Sequence, residues 1–249
     1  MVDRRPGAIP GGVVALVTGA SGGLGPVAAA SLAGAGLPVA LHAHRHPDRA
    51  RQVATGLDVA TSVVIADLGQ ADQAAAMVEE VAATLGPVGV LVHCAGIRDD
   101  GLLSAQDPTA WAEVVRVNLL GTYHADRAVV GPMLKARWGR IINLSSPVAS
   151  FGNAGQTAYA AAKAGVEALT RTLAQEVGRR SVTVNAISPG FVQTAMTEEV
   201  ADAARDRLLD RTALRRPARP EEIGPAISFL LHADYVTGQV LAVDGGMTP

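Results

Sequence analysis

The sequence predicts an α/β fold in which one doubly wound, seven-stranded parallel sheet is covered by helices on both faces. Two observations carry that expectation. Seven short apolar runs recur along the chain with helical segments between them, the alternation that builds parallel strands through crossover helices. The runs are also continuous, as in VVALV at 13–17 and VGVLV at 88–92, which suits strands buried on both faces rather than on one. A length of 249 residues fits one such domain.

Composition narrows the possible functions. Hydrophobic residues make up 49% and aromatics only 3%, so the core must be built from Val, Leu, Ile and Ala. A net charge of -2 argues against nucleic-acid binding through bulk positive charge. Cys94 is the only cysteine; an internal disulfide is impossible and a reducing compartment is expected. No apolar stretch approaches the roughly 20 residues needed to cross a bilayer. The first twelve residues, MVDRRPGAIPGG, have no apolar run behind them that could act as a signal. The expectation is a soluble cytoplasmic protein with no nucleic-acid or membrane partner.

Residues 1–12, with two prolines and three glycines, read as a flexible lead-in to a single domain over 13–249. The first strand, 13–17, ends in Thr18-Gly19-Ala20-Ser21-Gly22-Gly23-Leu24-Gly25 and an alanine-rich helix follows. Strand, glycine turn and helix in that order can cradle a phosphate on unpaired N–H groups and a positive helix end, and Pro26 suits a first helical turn. The same glycines could equally form a tight loop. The second strand, 39–43, leads to His44-Arg45-His46, and the third, 63–66, to Asp67-Leu68. Asp67 could cap the helix expected over 70–85, whose apolar spacing needs no further role; Gly86-Pro87 stops it. The fourth strand, 88–92, runs into His93-Cys94-Ala95-Gly96.

A helix over 108–136 contains Val117-Asn118-Leu119, and an amide in such a run is costly unless paired. The fifth strand, 140–145, delivers Ser146 to the carboxyl edge of the sheet, where open α/β folds bind ligands. Ser145 and Ser146 must point to opposite faces. A helix over 158–177 follows, then the sixth strand, 182–187, which ends in Ser188-Pro189-Gly190-Phe191-Val192-Gln193-Thr194. Residues 195–216 are polar, charged and alanine-rich, either a surface helix pair or a substrate lid. A helix over 220–231 and a strand over 239–243 close the fold.

Tyr159 and Lys163 lie four apart across three alanines, on one helix face. A phenol titrates near about 10, and a neighbouring ammonium favours its anion and eases proton transfer at neutral pH. Of 21 cationic residues only Lys135 and Lys163 are lysines; a chain built on arginine keeps lysine where a compact, flexible charge would matter. An ordinary amphipathic helix would carry the same pair.

Jointly, TGxxxGxG after the first strand, Ser146 with Tyr159 and Lys163, the PGxxxT at 189–194 and the terminal VDGGM resemble the short-chain dehydrogenase/reductase family from about residue 12 to 247. AGIRDDGLL, GRIINLSS, FGNAGQTAYAAAKAG and TVNAISPGF are similar to its 3-oxoacyl-[acyl-carrier-protein] reductases. The resemblance implies a Rossmann-type fold, NADP(H) as cofactor, and reduction of a carrier-linked 3-oxoacyl thioester in fatty-acid, polyketide or polyene assembly. By that likeness Tyr159 donates the proton, Ser146 holds the carbonyl oxygen, Lys163 lowers the tyrosine pKa and holds the ribose, and Asn118 anchors a proton-relaying water.

The same likeness places Thr18, Gly19, Ser21, Gly22, Gly23, Leu24 and Gly25 at the dinucleotide phosphates, although Gly22 stands where those reductases usually carry a cation. His44 and Arg45 would take the 2′-phosphate, with Ala43 where NAD-selective members have Asp. Asp67 and Leu68 would meet the adenine. Cys94, Ala95 and Gly96 would lie along the nicotinamide ribose, HCAG replacing NNAG and removing one amide hydrogen bond. Pro189, Gly190 and Val192 would follow the carboxamide and Thr194 the pyrophosphate. Two arginines beside the active-site mouth bind the carrier protein in that group; they match Arg137 and Arg180. Helices 108–136 and 158–177 would build a homotetramer, 195–216 the lid, and no metal is implied. The turn around His232–Tyr235 is about two residues short of relatives. Another ketone or secondary alcohol, or a non-catalytic nucleotide-binding scaffold, are the competing readings; binding alone does not need a proton donor.

Overall fold

The computed structural model describes residues 6–198 and 202–248. Its seven strands are β1 Val14–Thr18, β2 Val39–Ala43, β3 Thr61–Ile65, β4 Val88–His93, β5 Gly139–Leu144, β6 Val182–Pro189 and β7 Val240–Val243. All pair in parallel, in the order β3-β2-β1-β4-β5-β6-β7. Alternate residues of one strand face opposite sides. Ala15 and Val17 enter a core with helices α1 (Gly25–Gly34), α2 (Pro47–Thr55) and α10 (Gly224–His232). Val14 and Leu16 enter a second core with α3 (Ala71–Thr84), α5 (Gly121–Ala136) and α7 (Thr157–Val177). Burial on both faces is why these strands read as unbroken apolar runs.

The structure departs from the sequence reading in four places. Residues 47–55 form α2, which the polar PDRARQVAT did not announce. The helix expected over 108–136 is three pieces: α4 Pro108–Val115, capped where Asp107 accepts the Thr109 N–H at 3.1 Å, then a π turn Arg116–Leu120, then α5. β6 continues to Pro189, because β7 pairs Ser188 with Ala242 and Pro189 with Val243. Asp67 does not cap α3; the residue before that helix is Gln70, and the Asp67 carboxylate turns to the Gly69 N–H at 2.9 Å and to Arg116.

The short turn after α10 has a specific occupant. Arg140, on β5, is only 2% exposed; it donates to the Leu231 carbonyl at 3.0 Å, lies over Trp138 and pairs with Asp234. The Gly7 N–H donates to the other Asp234 oxygen at 2.5 Å, and His232 Nδ1 donates to the Gly7 carbonyl at 2.9 Å. The lead-in from residue 6 is thereby tied to the amino edge of the sheet. At the opposite, carboxyl edge, successive strands leave β1 in two directions, β2 on one side and β4 on the other, and the crevice that such a reversal opens is where the site lies. The remaining helices are short α6 (Val148–Phe151) and two pieces of the 195–216 segment, α8 (Ala195–Glu198) and α9 (Asp202–Arg211).

Candidate active site

A cleft of about 680 Å³ opens at the carboxyl edge, with Ser146, Tyr159, Lys163 and Asn118 in its wall and α9 over it. β5 hands Ser145 and Ser146 to opposite sides. Ser145 is buried and donates to Glu167 Oε1 at 2.8 Å, whereas Ser146 lines the cleft together with Tyr159. Lys163, one turn along α7 from Tyr159, is 4% exposed; its Nζ donates to the Leu144 carbonyl at 2.7 Å and lies 5.6 Å from the Tyr159 ring centroid.

The π turn exists around Asn118. That residue is fully buried, and its Nδ2 donates to Val114 and Ile97 carbonyls, each at 2.8 Å. Widening one turn frees the backbone that a regular helix would satisfy, and the amide takes it up. Asn118 Oδ1 is left buried without a donor among the described residues. A Cβ built on Gly96 would stand 2.6 Å from that oxygen and 3.8 Å from Lys163 Nζ. The orphaned acceptor and the lysine therefore open onto one small space beside Gly96, a site that calls for a donor.

The other end of the cleft is a cradle. Gly19 has φ +65°, and a Cβ on Gly25 would stand 2.3 Å from the Gly19 carbonyl oxygen, so the turn closes only on glycine. Its first helical residues have no side-chain cap, which leaves the amino end of α1 to a ligand. The Ala95 N–H donates to Thr18 Oγ1 at 3.2 Å, and Thr18 Oγ1 is 3.0 Å from His93 Nδ1, fastening β1 to β4. His42 accepts the Gly19 N–H on Nδ1 and donates from Nε2 to the Ala66 carbonyl at 3.0 Å. Burial pulls His42 to about 4 and His93 to about 3, so both are neutral spacers at pH 7. These groups fit a dinucleotide: glycine backbone and a helix end for phosphates, a buried lysine and amide oxygen for ribose hydroxyls.

Electrostatics within the chain's own residues run against one sequence expectation. Burial raises the Tyr159 phenol above its ordinary value, opposed by the Ser146 hydroxyl and the Arg98 guanidinium. Burial also pulls the Lys163 ammonium down to about 8. Both groups therefore keep their protons at pH 7, the ammonium lying beside the phenol ring. Cys94 lines the cleft with its thiol pushed up to about 12 by burial, so it stays protonated.

The structure gathers most of the expected residues at this one edge. Thr18 ends β1, Gly19, Ser21, Gly22, Gly23 and Leu24 form the turn, and Gly25 opens α1; Cys94, Ala95 and Gly96 follow β4; Pro189 ends β6, and Gly190 and Val192 follow it. The Thr194 N–H is held by Thr197 Oγ1 at 2.9 Å. His44 and Arg45 are exposed at the end of β2. Leu68 is buried against Gly121, so its side chain is packing, and its carbonyl accepts from His124 Nδ1 at 2.8 Å. Arg116 was invisible in sequence. It bonds Asp67 at 2.9 Å and Glu113 at 2.6 Å, and a separation of 49 residues left no local signal.

Arg137 and Arg180 correct an expectation. Arg137 closes α5 two residues before β5, and Arg180 stands two before β6. The strands are in register from Gly139 and Val182, so the pair sits at the amino edge. Ser146 lies beyond the far end of β5, about 20 Å away for six residues at about 3.3 Å each. They are not beside the mouth of their own chain's cleft.

Comparison with known proteins agrees with this geometry. A family model described as Enoyl-(Acyl carrier protein) reductase matches residues 19–248. The chain is 44% identical over 241 residues to 3-oxoacyl-[acyl-carrier-protein] reductase FabG of Pseudomonas aeruginosa, covering 95% of this chain and 97% of that protein. It is 40% identical over 242 residues to acetoacetyl-CoA reductase of Allochromatium vinosum, at 94% and 98% coverage. Nodulation protein G of a Rhizobium species is 38% identical over 235 residues, at 94% and 96%.

Proposed function

This chain belongs to the short-chain dehydrogenase/reductase family, and from that we propose that it reduces the ketone of a 3-oxoacyl thioester on an acyl carrier to the 3-hydroxyacyl thioester with NADPH. The observation that carries the reading is the Ser146–Tyr159 hydroxyl pair, one helical turn from a buried lysine at the carboxyl edge of the sheet. The nicotinamide, when bound, supplies the hydride. Ser146 donates to the ketone oxygen and fixes it against Tyr159, and the phenol passes its proton to that oxygen as charge develops. Lys163 Nζ returns a proton towards the phenol, and Asn118 Oδ1, the acceptor that shares the space beside Gly96, would anchor the water that resupplies it. The α8–α9 segment closes over the acyl chain.

The relatives named for 3-oxoacyl-carrier and acetoacetyl-CoA reduction support the thioester. The description of the family model names enoyl reduction instead. A phenol and a serine aimed at one oxygen favour the ketone, because reduction of a C=C bond ends with a proton on carbon. Acetoacetyl and crotonyl thioesters separate the two: turnover of the crotonyl substrate alone would reverse the choice. Tyr159→Phe should cut acetoacetyl turnover by about 10²–10⁴-fold with an unchanged circular dichroism spectrum; undiminished turnover would remove the proposed acid.

NADPH preference is placed on Arg45 and His44. Both are exposed at the end of β2, and the Arg45 charge acts on Glu113 across the adenine end. Arg45→Ala should raise KM for NADPH about tenfold, the worth of one charge-assisted phosphate contact, with little change for NADH. Equal KM values for both dinucleotides in the unaltered protein would refute the assignment. Among the described residues no helix is long and apolar enough to cross a membrane; a cytoplasmic homotetramer is part of the same proposal, supported by apolar Leu120 and Tyr123 exposed on and beside α5.

A further inference from the structure

The cleft carries more positive charge than the proposed chemistry uses. Its charged lining among the described residues is Arg98, Asp100, Lys163, Arg207 and Arg211, in a chain whose net charge is -2. Arg98 pairs with Asp100 at 3.3 Å, and Lys163 is committed to Leu144 and the catalytic group. Arg207 and Arg211 have no carboxylate partner among the described residues. Two later arginines of the segment do: Arg215 holds Asp210 at 2.5 Å and Arg216 holds Glu222 at 2.7 Å. Four residues apart on α9, the two guanidiniums share one face, and that face lines the cleft. Arg211 stacks on Phe151 of α6 at 3.9 Å, which fixes it at the substrate side. Two planar guanidiniums with no carboxylate partner among the described residues, in a cleft with low-dielectric walls, form a receptor for a phosphate group.

We propose that Arg207 and Arg211 form an anion subsite that grips the phosphate of the pantetheine arm carrying the acyl thioester. This rests on the thioester reading above and adds a contact remote from the reacting carbon, where binding holds the substrate against Ser146 and Tyr159. Both arginines lie on the covering helix, so the contact also draws α9 towards the bound arm.

Two acetoacetyl thioesters that differ by one phosphate, on phosphopantetheine and on pantetheine, test it with the full chain. Wild type should prefer the phosphorylated substrate in kcat/KM, and Arg207→Gln/Arg211→Gln should shrink that preference about tenfold, mainly through KM. Arg207→Gln alone, which keeps the Phe151 stack, should give part of the same change. An unaltered preference, or equal losses on both substrates, would overturn the subsite. A rise confined to KM for the dinucleotide would assign the arginines to the phosphates of the cofactor and also overturn it. Turnover of neither thioester by wild type would refute the ketoreductase reading instead. Calorimetric titration with phosphopantetheine and pantetheine then decides the subsite: tighter binding of the phosphorylated compound, lost in the double variant, upholds it, and equal binding rejects it.

Discussion

Among single residues, Arg116 couples the π turn to the cofactor end of the sheet. Burial works to raise the Asp67 carboxyl, but the Gly69 N–H and the Arg116 guanidinium outweigh it and hold the group below the usual range. A depressed carboxyl contributes stability that is present above its unfolded value, about 4, and is lost as pH falls through the folded value. Arg116→Met should therefore cost about 1–2 kcal/mol at pH 7, discounted for partial exposure, and less at pH 3. Urea melts at the two pH values check it; an equal loss at both would show that the guanidinium acts only by packing. Asp67 itself was legible as a candidate from its place after β3. Its partner was not, because sequence spacing reports neighbours on one element and Arg116 arrives from another.

At the scale of elements, α5, β5 and α7 meet over a buried polar cluster. Asn143 Nδ2 donates to Asp126 Oδ2 at 3.1 Å and to Thr170 Oγ1 at 3.2 Å. Asp126 Oδ1 and Asn143 Oδ1 are both buried acceptors without a donor. A proton on Asp126 Oδ1 would turn one of these acceptors into a donor, and burial raises that carboxyl to about 7. A raised carboxyl contributes stability fully present below its unfolded value and lost as pH rises through the folded one. Stability should fall between about pH 4 and pH 7, by roughly 3–4 kcal/mol if the site excludes water. Asp126→Asn should flatten that slope and be the more stable form at pH 8, read as thermal midpoints across the range. A slope unchanged in the variant would place the titration elsewhere. Nothing in the sequence marked Asp126, since a lone Asp on a helix is ordinarily solvated; only its facing strand makes it costly.

For the whole molecule, the two edges of the sheet divide the labour. The carboxyl edge holds the cleft; the amino edge holds the clamp of Arg140, Asp234 and Gly7, which joins β5, the turn after α10 and the chain ahead of β1. Asp234→Ala would leave a buried guanidinium without its carboxylate, at a cost of about 1–3 kcal/mol, reduced because Asp234 is half in water. The thermal midpoint should drop while KM for the dinucleotide stays put, as the clamp lies a full strand length from the cradle. A change in KM without a change in melting would contradict that separation.

Sequence by itself determined the fold class, the strand count and the residues brought to the carboxyl edge, because burial on both faces writes itself into apolar runs and a phosphate turn into glycines. Likeness to a known family then singled out Ser146, Tyr159, Lys163 and Asn118, whose motifs are local to a strand end and to helices. Only the tertiary structure decided the rest: the π turn that frees Asn118, the burial that raises the Tyr159 phenol and lowers the Lys163 ammonium, the partner of Asp67, and the edge to which Arg137 and Arg180 belong. Each of those depends on how much water is displaced around a group and on what another element places against it, and neither is recorded in the order of residues along one segment.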